Sequence, residues 1–193
     1  MTKDNSGEKP DLDIQTAYQQ AIAFASSKHQ EKNQTVKGTK LPYVVHLSNV
    51  AMELFIASCF TPDWDMKFVI QVALLHDTLE DTDTSINEIE HRFNPEIAKA
   101  VLALTKDPKL PKGQRILDSL SRIKRLRKEV WAVKLADRIT NLQPPPADWT
   151  TEKRKQYWQE SQVILDQLGE GNVHLAERLS EKISEYNSYI IPG

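Results

Sequence analysis

Four residues of this sequence carry side chains that bind divalent cations and sit among apolar neighbours: His46, His76, Asp77 and Asp137. Two further acids, Glu80 and Asp81, follow His76-Asp77 almost at once. Two neutral imidazoles and two carboxylates make a mixed nitrogen–oxygen donor set. Lacking a thiolate, it suits a divalent first-row metal rather than a softer ion. Such a site leaves positions open for water and substrate oxygens, and its ion acidifies water and neutralises phosphate charge. Glu80 and Asp81 then supply proton chemistry. One accepts a proton from the attacking water, and the other hydrogen-bonds that water or protonates a leaving oxygen. The surroundings give a separate argument for a cation. Residues 68–75 are apolar apart from Gln71, and unpaired acids beside such a run are costly. Read as one helix continuing through Asp81, four-residue spacing stacks His76 under Glu80 and Asp77 under Asp81.

The elements that must position these residues read as helices throughout. Asp11 or Asp13 caps a helix over 12–31, with Ile14, Tyr18, Ala21, Ile22 and Ala25 on its buried face. His29, near its end, reads as a surface residue complementing the helix dipole. A polar, basic loop over 32–41 contains Gly38, and Pro42 opens a second helix that carries His46. Thr61-Pro62-Asp63 reads as the start of the central helix. Asn94-Pro95 starts a helix that stops near Lys106-Asp107-Pro108. Residues 114–128 pair an apolar face (Ile116, Leu120, Ile123) with a basic one (Arg122, Lys124, Arg125, Arg127, Lys128), read first as a solvated face. A helix over 130–142 holds Asp137 and Asn141 four apart, so Asn141 sits beside whatever Asp137 binds. Pro144, Pro145 and Pro146 end it. Thr150 or Thr151 caps the next helix, Gly169 and Gly171 break it, and Leu175, Leu179, Ile183 and Tyr186 mark the last. His91 and His174 read as surface residues. With no strand pattern and no repeat, the expectation is an all-α bundle of about eight to ten helices. Residues 1–10 form a disordered lead-in, and 11–193 form one domain.

Composition narrows the function classes. A chain of 193 residues with 39% hydrophobic content supports a real core. A net charge of −2 argues against a binder of nucleic-acid polymers but allows one anionic nucleotide at a local positive patch. The single cysteine, Cys59, forms no disulfide within the chain and, flanked by Ile56, Ala57 and Phe60, reads as a core residue. That cysteine usage fits a reducing cytoplasm. No apolar run approaches the roughly 18 residues of a membrane span. There is no Walker loop, G-x-G-x-x-G, paired C-x-x-C or serine elbow, so P-loop, Rossmann, zinc-finger and α/β-hydrolase readings drop out.

Taken together, Pro42-Tyr43-Val44-Val45-His46, Ala73-Leu74-Leu75-His76-Asp77-Thr78-Leu79-Glu80-Asp81-Thr82, Leu104-Thr105-Lys106 and Lys134-Leu135-Ala136-Asp137-Arg138-Ile139-Thr140-Asn141-Leu142 carry a family resemblance. The chain resembles the HD-domain hydrolases of the RelA/SpoT alarmone family, in particular the stand-alone small alarmone hydrolases, from about Ala17 to Tyr186. The resemblance implies an HD-domain helical bundle in which His46, His76, Asp77 and Asp137 hold one metal, usually Mn²⁺. It makes Glu80 and Asp81 the catalytic acid pair and matches Asn141 and Tyr157 to substrate-contacting positions. Lys106, Lys112 and Arg115 are candidates for the outer phosphates. The implied reaction is hydrolysis of the 3′-pyrophosphate of (p)ppGpp-like nucleotides. One departure stands out: an Arg-Lys pair usual in the family falls here on Gln34-Thr35, with Lys32 and Lys37 on either side. It keeps (p)ppApp beside (p)ppGpp as a substrate and predicts loose discrimination between guanine and adenine. The alternatives are another HD phosphohydrolase, acting on simple nucleotides or NADPH, and an inactive nucleotide-binding HD module. The implied partner is a small nucleotide, with no nucleic-acid polymer or membrane, and the oligomeric state stays open between monomer and homodimer.

Overall fold

The computed structural model describes residues 13–190, and the disordered lead-in expected over residues 1–10 lies outside that range. Its helices are α1 (Ile14–Glu31), α2 (Val44–Ser58), α3 (Met66–Leu75), α4 (Thr78–Asp81), α5 (Ile86–Arg92), α6 (Pro95–Leu104), α7 (Lys112–Ile123), α8 (Lys128–Asn141), α9 (Thr151–Leu168) and α10 (Val173–Tyr186). A 3-10 turn, Gly169–Gly171, separates the last two. Among the described residues β-type pairing is confined to one isolated bridge, Thr35 to Pro42. The architecture is all-α, at the upper end of the expected helix count. No helix among the described residues is long and apolar enough to cross a membrane.

The bundle is arranged around α3. Phe68, Val69, Ile70, Val72, Ala73, Leu74 and Leu75 are all buried, so this helix is apolar around nearly its whole circumference and must be enclosed. α1, α2, α6 and α8 pack against it. Burial of each larger side chain contributes about 1.5–3 kcal/mol, against the chain entropy that folding removes. The enclosure fixes the end of α3 beside α2 and α8, the helices that carry His46 and Asp137. Short polar side chains set most helix starts. Asp13, Ser85, Asn94, Thr150 and Asn172 each accept a hydrogen bond from the amide three residues on, with Pro95 in the first turn of α6.

Several local expectations change. The central helix starts at Met66, not in Thr61-Pro62-Asp63, because Asp65 takes the Phe68 amide while Thr61 receives the Asn172 side chain. The basic segment 114–128 divides, with α7 ending at Ile123 and α8 starting at Lys128. Two of its arginines are structural ties rather than solvated charges. Arg122 bonds Asp118 and the carbonyls of Leu102 and Thr105. Arg127 bonds Glu96 and Glu129 and lies over the Phe68 ring. Cys59 is exposed rather than in the core. It follows the last turn of α2, on the outward side marked by exposed Met52, Ile56 and Phe60. His29 is buried, not on the surface: the inward stripe of α1 runs Ala17, Ala21, Ala25, His29.

Candidate metal centre and active site

His76 and Asp77 occupy the break between α3 and α4. The single helix expected through Asp81 is therefore interrupted, although the Asp81 amide still donates to the Asp77 carbonyl at 2.9 Å, one helical turn back. The ends of the break are tied locally. His76 Nδ1 donates to the Ala73 carbonyl at 2.7 Å, and Thr78 Oγ1 donates to the Leu75 carbonyl at 2.7 Å. These bonds satisfy carbonyls left open at a helix end. His76 Nε2 then lies 3.0 Å from Asp77 Oδ2, 3.5 Å from Asp137 Oδ1 and 3.4 Å from His46 Nε2. His46 Nε2 lies 3.4 Å from the same Asp137 oxygen. One ligand atom from each of His46, His76, Asp77 and Asp137 falls within 4.8 Å of every other. Residues as distant in sequence as His46 and Asp137 are thus brought to one point by α2, the α3–α4 break and α8.

The hydrogen bonds behind the rings fix which nitrogen faces inward. His76 Nδ1 carries a proton toward Ala73, so Nε2 is the nitrogen that faces the other three residues. Thr140 Oγ1 donates to the Asp137 carbonyl and so accepts from His46 Nδ1 at 3.3 Å. His46 Nε2 likewise faces inward. Two ring nitrogens and two carboxylate oxygens therefore face one another, an arrangement that needs positive charge at its centre. Burial alone would push His76 down, yet Asp77 and Asp137 hold it well above the ordinary imidazole value. Burial would raise both acids, yet His76 holds Asp77 low, and Lys134 with the two histidines holds Asp137 low. This donor set and its demand for a cation fit a divalent metal.

Three supporting residues were not legible as such. The Tyr43 hydroxyl donates to Asp77 Oδ2. Burial and the Asp77 carboxylate push this phenol far up, so it stays a donor. Lys134 Nζ bonds Asp137 Oδ2 at 2.8 Å, with both side chains buried. Thr140 orients His46 as described above. All three sit three residues from a ligand they serve or share an element with: Tyr43 before His46, Lys134 before and Thr140 after Asp137. That i, i+3 relation is the signal in the sequence. Lys134→Met should cost about 3 kcal/mol of stability, because it leaves Asp137 buried with a lost partner. Urea unfolding with and without Mn²⁺ tests this. The ion should recover part of the loss, and an unchanged midpoint would contradict the assignment.

Glu80 and Asp81 stand at the mouth in different settings. Glu80 Oε1 and Oε2 accept from Lys106 Nζ (2.8 Å) and from the Lys106 amide (3.0 Å), so one residue holds both oxygens. Asp81 is exposed, and Gln34 Nε2 donates to its Oδ2 at 2.8 Å. The surrounding protein and the Asp77 carboxylate push the Asp81 carboxyl up from its usual value, with Gln34 opposing. Asn141 bonds Asp137 and lines a cleft with Val36, Lys37, Trp149, Tyr157 and Tyr186. Lys37 and Lys153 each lie 4.5 Å from the Trp149 ring centre, and Arg138 lies 4.2 Å from that of Tyr157. Burial first, then Lys153, Lys106 and Arg138, push the Lys37 ammonium down, so other cations stand near this lysine of the cleft lining. Sequence reasoning missed Trp149, Lys153 and Arg138 here. Arg115 is spent elsewhere: its guanidinium bonds the Pro108 and Leu110 carbonyls and closes that loop. Lys112 is exposed at the start of α7.

Comparison with known proteins agrees with this geometry. Residues 21–171 match the HD domain family. The chain is 30% identical to the Drosophila melanogaster guanosine-3′,5′-bis(diphosphate) 3′-pyrophosphohydrolase MESH1, over 85% of this chain and 91% of the relative. Identity to the Homo sapiens protein of that name is 33%, over 83% and 89%. A solved structure described as a metazoan ortholog of SpoT that hydrolyzes ppGpp superposes with a TM-score of 0.77 at 28% identity, covering 96% of this chain and all of the other. With the His and Asp residues of its central motif meeting a second His and a second Asp at one buried point, the chain belongs to the HD-domain family.

Proposed function

We propose that this protein is a metal-dependent 3′-pyrophosphohydrolase of guanosine and adenosine alarmones, (p)ppGpp and (p)ppApp. It releases pyrophosphate and leaves the 5′-phosphorylated nucleoside. The observation that carries the reading is the convergence of His46, His76, Asp77 and Asp137 beside Glu80 and Asp81, in a chain similar along most of its length to enzymes named for this reaction. The four side chains would hold one ion, for which we favour Mn²⁺, and it would supply Lewis acidity and counter-charge for phosphate. The remaining work belongs to side chains. Asp81, with one oxygen outside the Gln34 bond and an upward-shifted carboxyl, accepts the proton of the attacking water. Glu80, braced by Lys106, accepts from that water and orients it, and the proton taken by Asp81 goes on to the 3′ oxygen as it leaves. Lys106, half-buried and bonded to Glu80, is a cation for the pyrophosphate, and exposed Lys112 can meet its outer end. Asn141 and Tyr157 line the cleft that takes the nucleoside, and Lys37 in its lining, with Lys153 beside it on the Trp149 ring, favours the phosphorylated 5′ side. Each charge-assisted contact is worth about 1.5–3 kcal/mol, enough for two of them to favour a diphosphate over a monophosphate.

A substrate panel tests the proposal. Under one Mn²⁺ condition, kcat/KM for ppGpp and ppApp should exceed that for NADPH and GMP by more than about tenfold. NADPH or GMP ahead of both by that margin would overturn it in favour of another phosphohydrolase. Gln34 is engaged with His29 and Asp81 rather than presented as a cation, so ppGpp and ppApp should differ by less than about a hundredfold.

A further inference from the structure

Gln34 joins two side chains from different parts of the chain. Its Nε2 donates to Asp81 Oδ2 at 2.8 Å, and its Oε1 meets His29 Nδ1 at 2.6 Å. Charge decides which way the amide faces. An ionised Asp81 can only accept, so the NH₂ group turns toward it and the amide oxygen turns toward His29. His29 Nδ1 must then carry the ring proton. The ring's environment agrees. It is buried, burial pushes its pKa down, and it therefore stays neutral with one N–H to give. Its Nε2 meets no hydrogen-bond partner among the described residues, as suits the nitrogen without the proton. The ring is held against Tyr43, with centroids 4.4 Å apart. The Gln34 backbone is equally constrained. Its N–H donates to the His29 carbonyl at 3.1 Å, and its carbonyl accepts from the Tyr43 amide at 3.3 Å. Asn33, with φ of 52°, makes the left-handed turn that starts this loop.

We infer that Gln34 is a positioning residue: the directed chain His29 to Gln34 to Asp81 holds Asp81 Oδ2 and leaves Oδ1 as the oxygen that takes the proton. Asp81 is an exposed side chain on a four-residue helix and would otherwise sample several rotamers. Proton transfer requires one of them, within hydrogen-bond reach of the water. Gln34 then governs turnover and not substrate affinity. The inference rests on the role given to Asp81 in the hydrolase reading.

A double-mutant cycle tests it, using Gln34→Ala, Asp81→Asn and the pair at saturating Mn²⁺, with bound metal counted in each. The cycle is run on whichever nucleotide of the panel the wild-type protein turns over fastest, so its result does not depend on the substrate assignment. Gln34→Ala should lower kcat roughly 10- to 100-fold, the worth of a hydrogen bond to a charged group. KM should stay within about twofold, as for an interaction felt only in turnover, and the metal should be retained. In the Asp81→Asn background the same change should lower the rate no further. His29→Phe, which keeps a ring against Tyr43 but removes the donor, should reproduce part of the loss. Gln34→Met, similar in length and without the amide, gives the same readout should alanine loosen the loop. A raised KM with unchanged kcat would make Gln34 a substrate contact and overturn the inference. So would equal losses in both backgrounds, since Gln34 would then act independently of Asp81.

Discussion

His76→Ala should remove both the bound metal and the activity while leaving the helical fold in place. Its Nε2 lies within 3.5 Å of an atom of each of the other three residues of the cluster. The ion would lose the nitrogen that α3 delivers and with it most of its affinity. Hydrolysis should fall by about 10³-fold or more, since charge neutralisation at phosphorus supplies several kcal/mol of the barrier lowering. Secondary structure should survive, because α3 is held by seven buried apolar side chains that the substitution does not touch. Metal analysis, circular dichroism and a hydrolysis assay on one preparation decide it. The same result is expected for alanine at His46, Asp77 or Asp137. Stoichiometric Mn²⁺ with normal turnover in any of them would remove that residue from the ligand set.

Asp81→Asn should keep the metal and slow turnover by about 10²- to 10⁴-fold, the usual worth of a positioned proton acceptor. Glu80→Gln should also retain metal but lose less, because Glu80 already has both oxygens on Lys106. The stability effect of Asp81→Asn should run the other way. A carboxyl whose folded-state value is raised adds stability below its unfolded value and loses it as pH rises through the folded one. At neutral pH the ionised Asp81 therefore opposes folding of the metal-free protein. The metal-free Asp81→Asn protein should melt above wild type at pH 7, and the gap should narrow as pH falls toward 3.8, the ordinary carboxyl value. Bound metal should shrink it too, because a cation beside Asp77 offsets the repulsion. A lower melting temperature at pH 7, or full activity, would contradict the role given to Asp81.

The four-residue cluster was readable because each member is a chemically distinctive residue in an apolar frame: His46 after Pro42-Tyr43, His76-Asp77 after the α3 run, Asp137 after Lys134-Leu135-Ala136. The helices were readable from their caps and periodicity, as Asn94-Pro95 and Thr150 illustrate. What was not readable depends on tertiary geometry. Continuous helical spacing through His76-Asp77 concealed the break, which is made by side chains of His76 and Thr78 returning to carbonyls of α3. His29 looked like a polar end residue, and only the neighbouring Gln34 and Tyr43 explain its burial. Cys59 looked internal because its neighbours are apolar, but Ile56 and Phe60 are themselves exposed. Arg115 matched a phosphate contact by charge alone, and its guanidinium closes a loop.

Product analysis bears most closely on the proposed reaction. The purified protein is incubated with ppGpp and Mn²⁺, and the products are resolved by ion-exchange chromatography and ³¹P NMR during the first turnovers. Pyrophosphate and GDP should form in equal amounts from the outset, with none formed by the His76→Ala protein. Orthophosphate as the first product, or loss of phosphate from the 5′ side, would contradict cleavage at the 3′-pyrophosphate.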